Sequence, residues 1–294
     1  MEIVFFDYYH PYAGLCNQLY LITNHINLCL INSTQIYIHR FNTDIFKKTR
    51  KPFDQIFDIP KTNENLKRLT GRDIITLNPP EIINSIPQLQ IYPVSSIQIL
   101  NCLEFNKKFL DTAQQIKRSN LKNEKYYGIH FRMEIDCILH YTFGKTVYNE
   151  FMDLANTSLS RANLYFETLD QNKIKSYCRF LMRQYFSFIK QFGFDKTWYI
   201  CSSLLKNDIH KPFRVYLKQL TDFINSNNGT FFISQSDYPE RELNALVDLL
   251  ILRDSEKMIG FEGSSFSEGY CYKVNQIRKV TKEVFFVKER NEVR

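Results

Sequence analysis

Near the middle of the chain, the seven residues HFRMEID (130–136) set a histidine, an arginine and two carboxylates behind the short apolar run YYGI. A guanidinium offers five N–H donors in a planar fork, a geometry that suits a carboxylate or a diphosphate. Left uncompensated at the end of a buried strand, such a charge costs on the order of several kcal/mol. Arg132 therefore either pairs with Glu134 or Asp136 or waits for an anion that a ligand brings. AGLCNQ (13–18) is a second stretch with suitable chemistry: Gly14 permits a bend and Asn17 stands at the start of an apolar-spaced segment. Asn17 then either caps a helix or offers its amide to a phosphate or a sugar. In EGSSFSEGY (262–270), Gly263 allows a tight turn, and Ser264, Ser265 and Ser267 put hydroxyls and N–H groups at a helix start. Capping and anion binding use the same geometry there. Finally, Asp248 interrupts the apolar NALVDLLIL (244–252); it is either paired internally or accepts the N1–H and N2–H of a guanine base.

These stretches need elements that bring them to one place. EIVFF (2–6) reads as a buried strand, Leu19, Ile22, Ile26 and Leu30 recur at helical intervals within 17–31, and QIYIHRF (35–41) reads as a second strand, which together make a βαβ unit. Six prolines cut 47–93 into short pieces, with a strand expected at 73–77; IQILN (97–101) reads as a strand and 106–118 as a helix. The polar KRSNLKNEK (117–125) is the linker candidate. Beyond it, strands at 126–131, 197–202, 229–234 and 257–261 alternate with helices at 172–192, 210–225, 240–253 and 266–274, a second unit of Rossmann type. Open parallel sheets bind ligands at the carboxyl ends of their strands. The stretches 13–18, 130–136 and 262–270 each follow a strand.

With 294 residues, 44% hydrophobic and 23% charged, the chain belongs to the ordinary globular class and is long enough for two domains. A net charge of +7 suits a polyanion, but the Lys and Arg are scattered, so a small phosphorylated ligand accounts for it as well as nucleic acid does. A nucleic-acid-binding protein is the rival from another class, and no basic run or RNA-binding motif supports it. The seven cysteines are odd in number, widely spaced and without a Cys-x-x-Cys pair, which signals neither a disulfide framework nor a zinc site. The start MEIVFFDYYH lacks a cationic segment, and no apolar run approaches membrane-spanning length, so a soluble, cytoplasmic protein without a transmembrane segment is expected.

Taken in order, Gly14-x-x-Asn17-Gln18, His130-x-Arg132-x-Glu134-x-Asp136, and Asp248 followed by Ser264-Ser265-Phe266-Ser267 resemble the three motifs of the GDP-fucose-dependent O-fucosyltransferases and their wider superfamily. The resemblance implies an α/β fold of GT-B type, two Rossmann-like domains with a donor-binding cleft between them. The domains expected are 1–120 on the acceptor side and 121–280 on the nucleotide-sugar donor side, with 281–294 as a tail. It further implies inverting, metal-independent transfer, with GDP-fucose as the expected donor, a hydroxyl of a glycan or protein as acceptor, and no metal, cofactor or nucleic-acid partner. Arg132 would hold the β-phosphate and stabilise the leaving GDP, and Asn17 would lie near the reacting sugar. Gly14, His130, Asp248, Ser264, Ser265 and Phe266 are implied as donor-binding residues. Asp7, His10, Glu134 and Asp136 are candidates for the base or for orienting roles, and no spacing singles one out. The lack of any Asp-x-Asp pair agrees with a metal-free mechanism. Two departures stand out: Cys16 replaces the usual second glycine, and Ser202-Ser203 replace the Thr-Asp often found after a strand of the donor half. Because phosphate-binding features do not read the sugar, GDP-rhamnose, GDP-mannose and UDP-xylose remain alternative donors.

Overall fold

Ile3–Phe6 (β1), Leu15–Ile31 (α1) and Gln35–Ile38 (β2) form the opening βαβ unit, the two strands pairing in parallel with Ile3 opposite Gln35 and Phe6 opposite Ile38. Leu19, Ile22 and Ile26, one helical turn apart, are buried on the inner side of α1. In this computed structural model the described residues are 3–7, 14–44, 49–79, 95–122, 124–205, 208–234, 238–280 and 282–288. The strand expected at 73–77 is reduced to a bridge, in which Ile36 N–H donates to Ile74 C=O at 2.8 Å and Thr76 N–H to Ile36 C=O at 2.9 Å. The run 35–41 does not continue as one strand. It breaks at His39, and Arg40–Asp44 (β3) pairs antiparallel with Thr49–Pro52 (β4). Ile59–Thr70 (α2) starts at Asp58, which accepts from Lys61 N–H at 3.0 Å, and ends at Gly71 with φ +80°. Where a strand was expected at 97–101 there is a helix, Ser96–Cys102 (α3). The apolar pattern of so short a stretch fits both structures, and the Gln98 side chain accepting Ser95 N–H at 3.3 Å marks a helix start. Lys107–Asn120 (α4) follows.

The chain divides into two compact units, and the division is not one cut. Segments 236–253 and 269–281, expected in the C-terminal domain, pack with 1–117. They carry all but the last residue of Arg241–Asp254 (α10) and the short helix Lys273–Ile277 (α11), which packs against α3. The Asn275 amide donates to Arg253 C=O at 2.8 Å and ties these two returns together.

The second unit, 118–235 with 254–268 and 282–294, is built on a parallel sheet. Its strands are Tyr127–His130 (β5), Trp198–Cys201 (β6), Phe231–Ile233 (β7), Lys257–Phe261 (β8) and Glu283–Val287 (β9), in the order β7-β6-β5-β8-β9. β5 and β6 are buried along their whole length, as expected of parallel strands covered on both faces. The expectation of a plain tail at 281–294 is corrected: EVFFV is a β-branched and aromatic run that lies beside β8 from Lys257↔Glu283 to Phe261↔Val287. Between β5 and β6 the chain forms Ile135–Phe143 (α5), Lys145–Thr157 (α6), Leu159–Thr168 (α7) and Gln171–Phe192 (α8), of which only the last was anticipated, and Arg214–Ser226 (α9) lies between β6 and β7. The stops are local. Gly144 sits at φ +92° between α5 and α6, Ser158 Oγ accepts from Arg161 N–H at 3.4 Å, and Asp170 accepts from Asn172 and Lys173 N–H at 2.9 and 3.0 Å. The helix expected at 266–274 is an eight-residue π-helix, Ser265–Tyr272, that leads into α11. All seven cysteines are buried thiols. Among the described residues no helix is long and apolar enough to cross a membrane.

Gly260 lets β8 and β9 close on each other, since a Cβ there would lie 2.8 Å from Phe286 Cε1 and 3.2 Å from Ser267 Cβ. Gly260→Ala is expected to cost about 1–3 kcal/mol by overpacking, read as a lowered urea midpoint. An unchanged midpoint would show that the Phe286 ring moves aside at no cost.

Candidate functional site

From β5 the chain moves to β6 and then β7 on one side of the sheet, and afterwards to β8 and β9 on the other. The order reverses between β5 and β8, and the carboxyl ends of two strands flanking such a switch point are where open α/β sheets bind ligands. HFRMEID begins on the last residue of β5 and EGSSFSEGY follows β8, so both stretches reach this point.

His130 is the last residue of β5. Its Nδ1 lies 3.1 Å from Ser267 Oγ, and its ring rests 4.9 Å from that of Phe266. Ser267 Oγ accepts Phe261 N–H at 2.9 Å and lies 3.3 Å from Phe261 C=O, to which its hydroxyl can donate. Donation from Ser267 to Nδ1 leaves the ring hydrogen on Nε2, whereas donation to Phe261 C=O leaves it on Nδ1. Burial, reinforced by the charge of Arg132, lowers the imidazole pKa to about 3. His130 is thus a neutral ring at neutral pH.

The chain leaves the sheet after His130, so Arg132 stands in the loop above the strand end, with its guanidinium 6.0 Å from the centre of the Phe261 ring at the end of β8. It makes no ion pair with a described carboxylate, and its Nε is buried without a hydrogen-bond partner. Glu134 is engaged elsewhere: its Oε1 accepts from Ser203 N–H at 3.3 Å and Ser203 Oγ at 3.1 Å, in the loop after β6. Asp136 lies in the first turn of α5. Burial opposes the charge on Arg132, but Cys137, Asp136 and Glu134 around it hold the guanidinium above its ordinary range, firmly protonated. Glu134 is shifted up by burial and by Asp136, against the pull of Arg132. The two acids stand near the guanidinium without an ion pair to it among the described residues, and the Cys137 thiol is its hydrogen-bond neighbour.

Ser264 Oγ accepts from Phe266 N–H at 3.2 Å and Ser267 N–H at 3.4 Å, the capping role. Gly263, at φ +69°, donates its N–H to Glu268 at 2.8 Å. Ser265 is half-buried, and its hydroxyl makes no hydrogen bond among the described residues. His130, Arg132, Glu134, Asp136, Ser264, Ser265 and Phe266 all belong to the second unit.

Gly14, Asn17 and Asp248 belong to the first. Asn17 does not cap α1: Gly14 is the N-cap, at φ −63° and ψ 171°, and Asn17 is an exposed residue of the first turn. The N-terminus of α1 already has an anion, because Leu15 N–H donates to the buried Glu242 carboxylate at 2.6 Å. Gln18 joins α1 to β3, accepting Asn42 N–H at 3.0 Å and donating to Asn42 C=O at 3.2 Å. Asp248 is buried within α10. Asp7 is held by the Arg50 guanidinium, one contact at 3.3 Å, and by Arg40 at 3.6 Å. His10 lies outside the described residues.

A parallel five-stranded sheet wrapped by helices, with a βαβ unit before it, makes an α/β protein, and its likeness to solved structures gives that fold as GT-B type. The chain shares this fold with solved structures of POFUT1, a GDP-fucose protein O-fucosyltransferase. The apo form superposes with a TM-score of 0.59 at 13% identity, covering 97% of each chain. The complex with GDP-fucose gives 0.62 at 10% identity, again over 97% of each chain. The complex with GDP gives 0.57 at 10% identity, over 97% of this chain and 98% of the other. No protein-family model matches the sequence, and no curated protein does.

Proposed function

We propose that the protein is an inverting, metal-independent glycosyltransferase that moves a sugar, fucose from GDP-fucose, to a hydroxyl of a glycan or protein acceptor. The observation that carries this reading is Arg132: a charged guanidinium at the switch point of a parallel sheet, its Nε buried and unpartnered, with no ion pair to a described carboxylate. The fold shared with POFUT1 in complex with GDP and with GDP-fucose supports the donor class. In the transfer, the bond between the sugar C1 and the β-phosphate oxygen breaks and its electron pair leaves with GDP. The acceptor oxygen forms the new bond to C1 from the opposite face and loses its proton to a base. Negative charge grows on the departing diphosphate, so fixed donors aimed at it lower the barrier. Arg132 supplies the cation, His130, with its ring hydrogen on Nε2 as part of this proposal, and the Ser265 hydroxyl supply neutral donors, and Phe266 orients the imidazole. Glu134 and Asp136 lie beside Arg132 and favour its charged form. Asn17 beside the sugar and Asp248 on the guanine rest on the motif resemblance.

The test is nucleotide selectivity in thermal unfolding. At about 100 times its Kd a ligand stabilises by about 2.7 kcal/mol, so GDP should raise the melting temperature by several degrees and UDP should not. Stabilisation by UDP alone would replace the guanosine donor with a uridine one.

A further inference from the structure

β5 holds its place beside β6 up to Phe131, whose N–H donates to Cys201 C=O at 2.9 Å. The carbonyl before that residue and the amide after it are taken by a single side chain from another element. Tyr185, in the middle of α8, donates its hydroxyl to His130 C=O at 2.9 Å and accepts Arg132 N–H at 3.0 Å. Its ring is fully buried and packs 5.0 Å from the ring of Phe131. Two peptide planes flank Phe131, and one hydroxyl fixes both, which sets the direction in which the Arg132 side chain leaves the backbone. The other braces of this loop act further along it: Glu134 on Ser203, and His210 Nδ1 accepting Ile135 N–H at 3.3 Å. Of the side-chain braces described here, only Tyr185 bonds to the backbone of Arg132 itself.

We propose that Tyr185 is a positioning residue, whose buried hydroxyl fixes the backbone on which Arg132 presents its guanidinium to the donor diphosphate. Burial raises the phenol well above its ordinary range, so the group stays protonated and keeps its double role as donor and acceptor. It does not touch the reacting atoms. The phenyl ring alone would fill the same volume, so the consequence for the site resides in one oxygen. This inference rests on the role proposed above for Arg132.

The experiment uses the full chain, Tyr185→Phe, Arg132→Ala and the double variant, with GDP binding by calorimetry and hydrogen–deuterium exchange resolved at Arg132. In the wild type the Arg132 amide should be protected to the level of β5, and a freely exchanging amide would overturn the inference without recourse to any variant. Tyr185→Phe should retain its circular dichroism spectrum, accelerate exchange at Arg132 by about tenfold or more, and weaken GDP binding by about tenfold, a difference of about 1.4 kcal/mol. In the Arg132→Ala background the same change should weaken GDP binding by less than about twofold, because residues that act as one unit are not additive. Equal losses in the two backgrounds, or unchanged exchange in Tyr185→Phe, would overturn the positioning role. Wild-type GDP binding with an unaltered Tyr185→Phe affinity overturns Tyr185 alone. Wild-type protein that binds neither GDP nor GDP-fucose overturns the proposed function and this inference with it.

Discussion

Arg132→Ala should lower turnover of the nucleotide-sugar donor by about 10²–10³-fold, the usual effect of removing a donor aimed at charge that develops in the transition state. The protein should stay folded. Glu134 keeps its two hydrogen bonds to Ser203, and its carboxyl, already shifted up by burial and by Asp136, can take up a proton when the neighbouring cation is lost, so no unpaired buried charge is forced on the fold. The loss should fall mainly on kcat, because the leaving diphosphate carries more charge than the bound donor, with a smaller rise in KM. Arg132→Lys keeps the charge but not the planar fork, and should recover only part of the activity. Steady-state kinetics alongside circular dichroism and GDP calorimetry check this, and unchanged turnover in a folded Arg132→Ala protein would remove Arg132 from the mechanism.

How much of this was legible in the sequence depends on how far apart the interacting residues lie. HFRMEID and EGSSFSEGY could be found because each places its polar residues directly after a hydrophobic strand, and strand ends at a switch point are where such residues serve a ligand. The partner of Glu134 could not be read from the motif: local spacing favoured Arg132, whereas the structure gives the carboxylate to Ser203, 69 residues on. Glu242, whose carboxylate binds Leu15 N–H across 227 residues, was equally silent, being one acid at the start of a helix. Tyr185 is one of 18 tyrosines, and nothing in its neighbours marks its hydroxyl. Strands were legible where β-branched and aromatic residues ran together, as in β5, β6 and β8. The short α3 was misread because five residues, IQILN, do not separate a period of 2 from one of 3.6. β9 was missed because a lone strand after the last helix has no following element to announce it, although its pairing with β8 completes the sheet.

His130 gives a pH dependence whose sign follows from its environment. Its folded pKa, about 3, lies below the ordinary 6.5 because burial and Arg132 disfavour the imidazolium. Between those values the unfolded chain binds a proton that the native state refuses, so stability falls as pH drops below 6.5 and gains nothing from this group above it. The slope is at most about 1.4 kcal/mol per pH unit, or about 2 kcal/mol between pH 6.5 and 5. His25 is also lowered by burial and adds to the wild-type slope in the same direction. The diagnostic quantity is therefore the difference between the wild type and His130→Gln, which removes the titrating group and keeps an acceptor for Ser267. Urea denaturation at pH 7.5, 6.5, 5.5 and 5.0 should show His130→Gln losing less stability on acidification, even if it starts lower at pH 7.5. Identical slopes would mean that His130 titrates normally in the folded protein. The ring would then be a cation near pH 6, and the neutral hydrogen bond proposed for it beside Arg132 would have to be given up.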